Sequence, residues 1–326
     1  MKSIVLGMLL LLLLGGCRPP GQVSMAEPAA GSYEVTDVYG CTTAMPAPPQ
    51  RILTLSMGTD EILLGLVKPE RMAAVNSLLD DPANSNVVGL ARQIPQKVGE
   101  PTVEQILKLQ PDLVIVPDWG NLEQVPSLRD MGLKVVVCKG AANVQEIRET
   151  VQLLAQAVGE PKRGEVLLGK MDAKLQEIQQ RVERIPPEER KTVVLLSVMA
   201  AYGGIGCTFD DACRYAGVQN GMALAGICSG QTMSKEQLVL INPDVLLLPS
   251  YRDGNGFRQD EFRAAYENDP ALQTVKAVQC GALKSPRDAY IYNGSQDIVF
   301  GIQEIAFMAY GEAFAQPAEE HLSAVE

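Results

Sequence analysis

From residue 51 onward, two kinds of apolar pattern alternate along the chain. Predominantly apolar runs, typical of buried strands, occur at 51–55, 72–75, 113–117, 133–138 and 192–199. Segments with an apolar residue at every third or fourth position, typical of helices, lie near 102–109, 122–131, 143–158, 209–217, 259–266, 269–276 and 295–313. Loops are expected at 76–100, 218–232, 252–257 and 281–293. This alternation predicts parallel sheets with helices on both faces.

One stretch of this pattern occurs twice. Residues 103–117 read VEQILKLQPDLVIVP and residues 235–249 read KEQLVLINPDVLLLP, at a constant offset of 132 residues. Each copy predicts a short amphipathic helix, a Pro-Asp turn and a buried strand closed by proline. An aromatic residue follows that proline by two positions, Trp119 in one copy and Tyr251 in the other. Two matching halves that each place an aromatic after a strand predict a binding site between two lobes.

A long helical pattern separates the two halves. It covers residues 161–184, begins at a proline and is followed by Ile185-Pro186-Pro187. The predicted fold class is therefore α/β, with two lobes of mainly parallel sheet flanked by helices and joined by one long α-helix. The expected divisions are a signal peptide (1–16), a tether and lead-in (17–50), an N-terminal lobe (51–160), the connecting helix (161–184), a C-terminal lobe (185–315) and a C-terminal tail (316–326).

The N-terminus indicates export. Lys2 precedes an apolar run from Ile4 to Leu14, which is too short for a comfortable membrane span and has the proportions of a signal peptide. Cys17 directly follows Leu14-Gly15-Gly16, a sequence that resembles the lipobox of bacterial lipoproteins. We therefore expect Cys17 to carry the lipid anchor, with the Pro- and Gly-rich residues 18–32 as a tether. The alternative is an ordinary secretory signal followed by an unrelated cysteine.

Composition changes the picture in two ways. The net charge is −11, with 39 acidic and 28 basic residues, so nucleic acid is not an expected partner. Six further cysteines permit disulfides in an oxidising compartment, but their pairing stays open. They are Cys41, Cys138, Cys207, Cys213, Cys228 and Cys280.

The sequence contains no catalytic motif of the common hydrolase, nucleotide-binding or zinc-protease classes, and its one histidine, His321, lies in the tail. No enzyme activity and no resident cofactor or metal are expected.

From Arg51 to about Gly311, the chain resembles the substrate-binding lipoproteins of ABC importers for metal chelates: ferric siderophores, haem and cobalamin. The resemblance is carried by the segments RILTLSMGTDE, PTVEQILKLQPDLVI, TFDDACRYAGVQN, MSKEQLVLINPDV and SQDIVFGIQEIA. It implies a periplasmic binding protein of the helical-backbone type, an extracytoplasmic location, and a monomer that delivers its ligand to a permease and its ATPase.

The resemblance also assigns two roles to the duplicated helices. Glu104 and Glu236 match the family's two docking carboxylates, one on each lobe, which pair there with arginines of the permease. A carboxylate at the start of a helix also complements the helix dipole without any partner. The repetition of the Glu-Gln pair in both halves favours docking.

Candidate ligand contacts are the residues in loops that follow strands, where open parallel sheets bind their ligands. They are Ser56, Met57, Trp119, Tyr202, Tyr251, Arg252, Arg287 and Tyr290. The aromatic rings offer flat faces to a chelate, and the arginines offer charge to an anionic one.

The identity of the ligand stays open between three chelates. An iron chelate of the siderophore type is the leading prediction, because aromatic residues make up only 5% of the chain and there is one tryptophan. Cobalamin or another corrinoid is the alternative, since Trp119 lies where such a binder carries a stacking tryptophan. Haem would need Tyr or Met ligation, because histidine ligation is excluded. An exported lipoprotein enzyme on the same scaffold is a further alternative.

Overall fold

The computed structural model describes residues 31–197, 199, 202–250, 257–317 and 320–325. Cys17, Tyr251 and Arg252 lie outside the described residues. The first element is an antiparallel hairpin of β1 (Tyr33–Thr36) and β2 (Thr42–Met45), which the sequence pattern did not predict. The two strands are only four residues long and mostly exposed, so they carry little apolar signal.

The N-terminal lobe is built on a five-stranded parallel sheet. Its strands are β3 (Ile52–Thr54), β4 (Met72–Asn76), β5 (Lys97–Val98), β6 (Leu113–Pro117) and β7 (Val135–Cys138), in the spatial order β5-β4-β3-β6-β7. The helices are α1 (Met57–Leu64), α2 (Val88–Ala91), α3 (Val103–Leu109), α4 (Gln124–Asp130) and α5 (Val144–Ala157). The predicted loop 76–100 thus contains α2 and the edge strand β5.

The helix α6 (Pro161–Val182) connects the lobes with 22 residues and buries Leu167, Met171, Leu175 and Ile178. Beyond it, β8 (Thr192–Leu195), β9 (Gln219–Asn220), β10 (Val245–Leu247) and β11 (Leu283–Lys284) form a second parallel sheet in the order β11-β10-β8-β9. Both sheets are parallel and flanked by helices, so the predicted two-lobed α/β class is confirmed.

The helices of the C-terminal lobe are α7 (Thr208–Tyr215), α8 (Gly221–Leu224), α9 (Lys235–Ile241), α10 (Gln259–Glu267), α11 (Lys276–Gln279), α12 (Asp288–Ile291) and α13 (Ile298–Tyr310). Three predictions were wrong in detail. The loops at 218–232 and 281–293 contain short strands and helices, and the helix near 269–276 is a 3-10 turn at Pro270–Leu272 followed by α11. Two-residue strands and one-turn helices are too short to show a periodic pattern.

The duplicated segments fold alike. The side chains of Thr102 and Ser234 each accept a backbone N–H of the helix that follows. In return, the side-chain oxygens of Gln105 and Gln237 accept the backbone N–H of Thr102 and Ser234, so each helix begins with a capping box. Both helices end in a left-handed residue, Gln110 with φ 50° and Asn242 with φ 48°. The repeat is therefore a folding unit as well as a sequence match.

The aspartate of each repeat joins it to the neighbouring strand. Asp112 accepts the backbone N–H groups of Gln50 and Arg51 at distances of 2.6 and 2.9 Å, and Asp244 accepts that of Thr192 at 2.9 Å. Asp112 thereby fixes the start of the central strand β3, and Asp244 fixes the start of β8, one of the two inner strands of the second sheet.

Candidate functional site

The main cleft lies between the lobes, at the carboxyl ends of the N-terminal strands. Its volume is about 690 Å³, and all five strands of the N-terminal sheet contribute the loop that follows them. These loops are 55–59, 76–78, 99–100, 117–119 and 139–141; Met199, Tyr202, Thr208, Tyr292 and Gly294 form the opposite wall. The loops converge because parallel strands end at one edge of a sheet, as expected from the sequence.

The start of α1 forms the floor of this cleft. Ser56 caps α1 by accepting the N–H of Thr59, and its hydroxyl lies 2.7 Å from the Thr59 hydroxyl. Met57 is half-buried and lines the cleft. A Cβ at Gly58 would lie 3.1 Å from the Gly294 carbonyl oxygen, so the two lobes touch here through backbone. Ser56 and Met57 therefore lie at the site, with the Ser56 hydroxyl already engaged in the cap.

Trp119 is the main aromatic surface of the N-terminal wall. Its side chain is 68% exposed although it lines the cleft. Asp118 accepts the N–H of Gly140 at 2.8 Å, and a Cβ at Gly140 would lie 1.9 Å from the Trp119 ring. Any side chain at position 140 would clash with the Trp119 ring, so the observed position of the ring requires glycine there. Sequence reasoning missed Gly140, and no motif in the sequence signals it.

Two tyrosines face Trp119 from the C-terminal lobe. The ring centres of Tyr202 and Tyr292 are 5.1 Å apart, and the Tyr202 hydroxyl lies 2.6 Å from the Thr208 hydroxyl. The Tyr292 hydroxyl lies 2.8 Å from that of Ser197. Burial raises the pKa of Tyr202 far above its ordinary value, so this phenol stays protonated at neutral pH. Tyr292 was missed because it lies in a predicted loop that also contains Arg287 and Tyr290, which were chosen as candidates instead.

The structure does not bring Arg287 or Tyr290 to the cleft. The Arg287 guanidinium binds Glu304 at 2.6 Å, donates to the Pro317 carbonyl at 2.9 Å and lies 4.7 Å from the centre of the Tyr290 ring. Tyr290 is 1% exposed and packs against Phe300. The expectation that these two side chains face a ligand is therefore corrected. Arg287 is paired with Glu304, and Tyr290 is buried in the core.

A side pocket of about 340 Å³ opens from the main cleft. It shares Met57, Leu78, Met199 and Tyr292 with the cleft and adds Glu61 and Asn293 among its lining residues. Glu61 is 3% exposed and accepts the Asn293 amide at 2.8 Å. Burial, together with the Asp297 carboxylate nearby, raises the pKa of Glu61 to about 8. Glu61 is therefore mostly protonated near neutral pH, and Asp288 is the other acidic residue among those that line the pocket.

Charge in the main cleft is sparse. Among the described residues that line it, only Glu100 and Lys139 are charged, and Lys139 already pairs with Glu146 at 2.7 Å. The described part of the chain contains no group of three or more His, Cys, Asp or Glu that could hold a metal ion. The cleft therefore offers rings, thioethers, hydroxyls and amides to a ligand, with little net charge.

The two candidate docking carboxylates lie outside this cleft. Glu104 and Glu236 are both exposed, each at the second position of its helix, α3 or α9. Hydrogen bonding to its own backbone N–H and to Ser234 lowers the pKa of Glu236, so it is charged at neutral pH. The fold places both carboxylates in equivalent positions on the two lobes.

The six cysteines of the described residues are free thiols. Burial raises the pKa of the Cys138 thiol to about 12, as expected for an unreactive core residue. In the described part of the chain, no helix is both long and apolar enough to cross a membrane.

Comparison with known proteins gives consistent matches along the chain. Residues 52–286 match the model of a family described as periplasmic binding protein. Over 317 residues the chain is 22% identical to the uncharacterized ABC transporter substrate-binding lipoprotein YvrC of Bacillus subtilis (strain 168), covering 93% of this chain and 95% of the relative. It is 23% identical to the probable siderophore-binding lipoprotein YfiY of the same organism, covering 83% and 85% of the two chains.

A similar fold is found in the periplasmic heme-binding protein RhuT from Roseiflexus sp. RS-1. The TM-score is 0.68 at 22% identity, and the match covers 80% of this chain and 98% of that one.

Proposed function

Because the chain belongs to the periplasmic binding protein family, we propose that its cleft captures a metal chelate and delivers it to an ABC permease. The family is a class of solute-binding proteins that work outside the cytoplasm with a permease and its ATPase. The observation that carries the proposal is Trp119, whose ring is 68% exposed on the cleft wall while Gly140 leaves room for it. An exposed, positioned ring is suited to the flat face of a chelate.

An iron chelate of the siderophore type is our first candidate, and the cleft favours one of low net charge. Arg287 is paired with Glu304 outside the cleft, and the two charged groups among the described lining residues have opposite signs. A strongly anionic chelate would therefore find little compensation there. Relatives of this chain include a probable siderophore-binding lipoprotein and an iron-uptake system-binding protein.

A metal-bearing tetrapyrrole, either a corrinoid or haem, is the second candidate. Aromatic rings stand on both walls, and the thioethers of Met57 and Met199 reach the cleft from opposite lobes. Thioether sulfur is a known axial ligand of haem iron. The proposal rests on the same cleft and differs only in the chemistry of the ligand.

A fluorescence titration distinguishes the candidates. A chelate that absorbs in the near ultraviolet and stacks on Trp119 should quench the emission of the only tryptophan, and the quenching should saturate. The test compares a ferric trihydroxamate, a ferric tricatecholate, cyanocobalamin and ferric haem. We expect the weakly charged trihydroxamate to bind more tightly than the anionic tricatecholate, because the cleft lacks free cations among its described lining residues.

Two variants test the position of the ring. Trp119→Phe should abolish the signal and weaken binding about 2- to 10-fold by calorimetry, as expected for loss of a stacked ring. Gly140→Ala should retain the tryptophan but displace it, and so shift its emission and reduce quenching. If calorimetry reports binding while Trp119 emission stays constant, the ligand lies elsewhere and the assignment of this cleft is wrong.

Membrane anchoring through Cys17 is a further proposal, supported by the lipobox-like Leu14-Gly15-Gly16-Cys17 and by relatives named as lipoproteins. Cys17→Ser should release the protein from the membrane fraction or leave the precursor unprocessed, because the serine hydroxyl cannot form the thioether to the lipid. Radiolabelled fatty acid measures the modification directly. Label retained by the variant would show that another residue is modified. The protein is expected to act as a monomer.

A further inference from the structure

The C-terminal segment 320–325 crosses from one lobe to the other. At its start, the Glu320 N–H donates to the hydroxyl of Tyr290, in the C-terminal lobe, at 2.7 Å. At its end, the Ala324 N–H donates to the carbonyl of Gly65, in the N-terminal lobe, at 2.8 Å. Between them, Lys170 on the connecting helix donates to the Ser323 carbonyl at 2.5 Å. The sequence predicted only a C-terminal tail at 316–326, whereas residues 320–324 of that tail contact both lobes and the connecting helix.

The only histidine fixes the middle of the segment. His321 Nδ1 lies 2.6 Å from an Asp297 oxygen, and the two side chains are 10% and 0% exposed. The other Asp297 oxygen accepts the Leu322 N–H at 2.8 Å. Asn86, in the N-terminal lobe, donates to both Asp297 and the Glu320 carbonyl at 2.7 Å each. One buried carboxylate thus joins the segment to both lobes.

Gly65, the residue that follows α1, makes room for the segment. The carbonyl oxygen of Leu322 would lie 2.9 Å from a Cβ at Gly65, closer than real Cβ contacts allow. The φ angle of Gly65 is −81°, which any residue can adopt, so the close approach is the constraint there. The backbone of the segment therefore packs directly against the backbone of Gly65, and a side chain at position 65 would push it away.

The segment also lies against the contact between the lobes that supports the cleft. Gln296 donates to the Glu61 carbonyl at 3.1 Å and to the Leu322 carbonyl at 3.2 Å, so it touches the first helix and the segment together. Just before it, Asn293 binds Glu61, and Gly294 touches Gly58. Residues 292–294 also line the side pocket, and Tyr292 and Gly294 line the main cleft as well.

We propose that residues 320–325 form an inter-lobe strap, held by His321 and seated on Gly65, that sets the position of the two cleft walls relative to each other. Its loss allows the lobes to shift at the contact of residues 58–61 with 293–296, and this shift separates Trp119 from the facing tyrosines. His321 and Gly65 are positioning residues, since neither lines the cleft. The effect on chelate binding rests on the proposed function, but the attachment of the strap does not.

A pair of glycine substitutions tests the strap. Gly65→Ala places a methyl group against the Leu322 carbonyl, whereas Gly169→Ala adds the same methyl on α6, where no atom lies within 4 Å of it. Hydrogen exchange should show the amides of Leu322 and Ala324 exchanging at least about tenfold faster in Gly65→Ala, as expected on loss of a hydrogen bond. Gly169→Ala should leave both amides at the wild-type rate. His321→Ala should reproduce the Gly65→Ala result.

Binding of a ferric trihydroxamate, followed by calorimetry, completes the test. Gly65→Ala and His321→Ala should weaken it several-fold, with faster exchange of the Ser295 and Asp297 amides at the lobe contact. If the amides of Leu322 and Ala324 exchange at the wild-type rate in Gly65→Ala, the proposal that residues 320–325 form a strap seated on Gly65 is wrong. Faster exchange there with unchanged affinity and unchanged lobe-contact amides overturns its positioning role. If the wild-type protein binds none of the chelates, the proposed function fails, while hydrogen exchange still decides whether the strap joins the lobes.

Discussion

Replacing Glu104 and Glu236 together by arginine is expected to abolish chelate uptake through the cognate permease and to leave chelate affinity nearly unchanged. Both side chains are exposed, and neither lines the cleft. The family resemblance implies that each pairs with permease arginines, so the exchange turns two attractive contacts into repulsive ones. Like charges facing each other across an interface cost several kcal/mol, which is enough to prevent productive docking.

Uptake of radiolabelled chelate measures this effect, and calorimetry measures ligand affinity separately. The matched control is Glu165→Arg with Glu188→Arg, two exposed glutamates away from the duplicated helices, which changes the net charge equally. The control should transport at nearly the wild-type rate. If the Glu104/Glu236 variant transports chelate as fast as this control, neither glutamate is needed for docking to the permease.

The substitution Glu61→Gln is expected to stabilise the protein at alkaline pH. Glu61 is 3% exposed, and burial together with Asp297 raises its pKa from 4.5 to about 8. A carboxyl group whose pKa is higher in the folded state favours folding while it is protonated, and this contribution is lost as the pH rises from about 4.5 to 8. Glutamine keeps an oxygen for the Asn293 amide and carries no charge. The free energy of unfolding at about pH 8.5 should rise by on the order of 3 kcal/mol.

Two neighbouring groups act in the same direction. Burial raises the pKa of Asp60 to about 7. Burial opposes charge on His321, but the Asp297 carboxylate outweighs it and raises the pKa of that imidazole. A basic group with a raised pKa also loses its stabilising contribution as the pH increases through that value. The wild-type protein should therefore be more stable near pH 5.5 than near pH 8.5, and Glu61→Gln should flatten this dependence.

Denaturant unfolding at several pH values provides the measurement. Glu304→Gln is the matched control, because Glu304 is equally buried, at 3% exposed, but pairs with Arg287. Removal of that carboxylate leaves a guanidinium without its partner, so the control should be destabilised. If Glu61→Gln lowers the stability at pH 8.5 as well, folding does not raise the pKa of Glu61 and the predicted sign is wrong.

Several features were determined by the sequence alone. The 132-residue repeat, the long helix after Pro161 and the apolar runs predicted two parallel α/β lobes, because a buried strand and an amphipathic helix have different periods. The same reasoning placed Ser56, Met57, Trp119 and Tyr202 in the cleft, since loops after parallel strands converge at one edge. These predictions needed only local pattern and the topology of parallel sheets.

Other features depend on contacts between distant parts of the chain. Arg287 was expected to contact the ligand, but it pairs with Glu304, which lies 17 residues further along the chain. Gly140 gives Trp119 its place, and His321 reaches Asp297 across the lobe contact. Local sequence pattern does not specify which distant side chain will neutralise a charge or which glycine will face a ring. The sequence thus determined the architecture and the edge where the site lies, whereas tertiary packing decided which side chains remain available to a ligand.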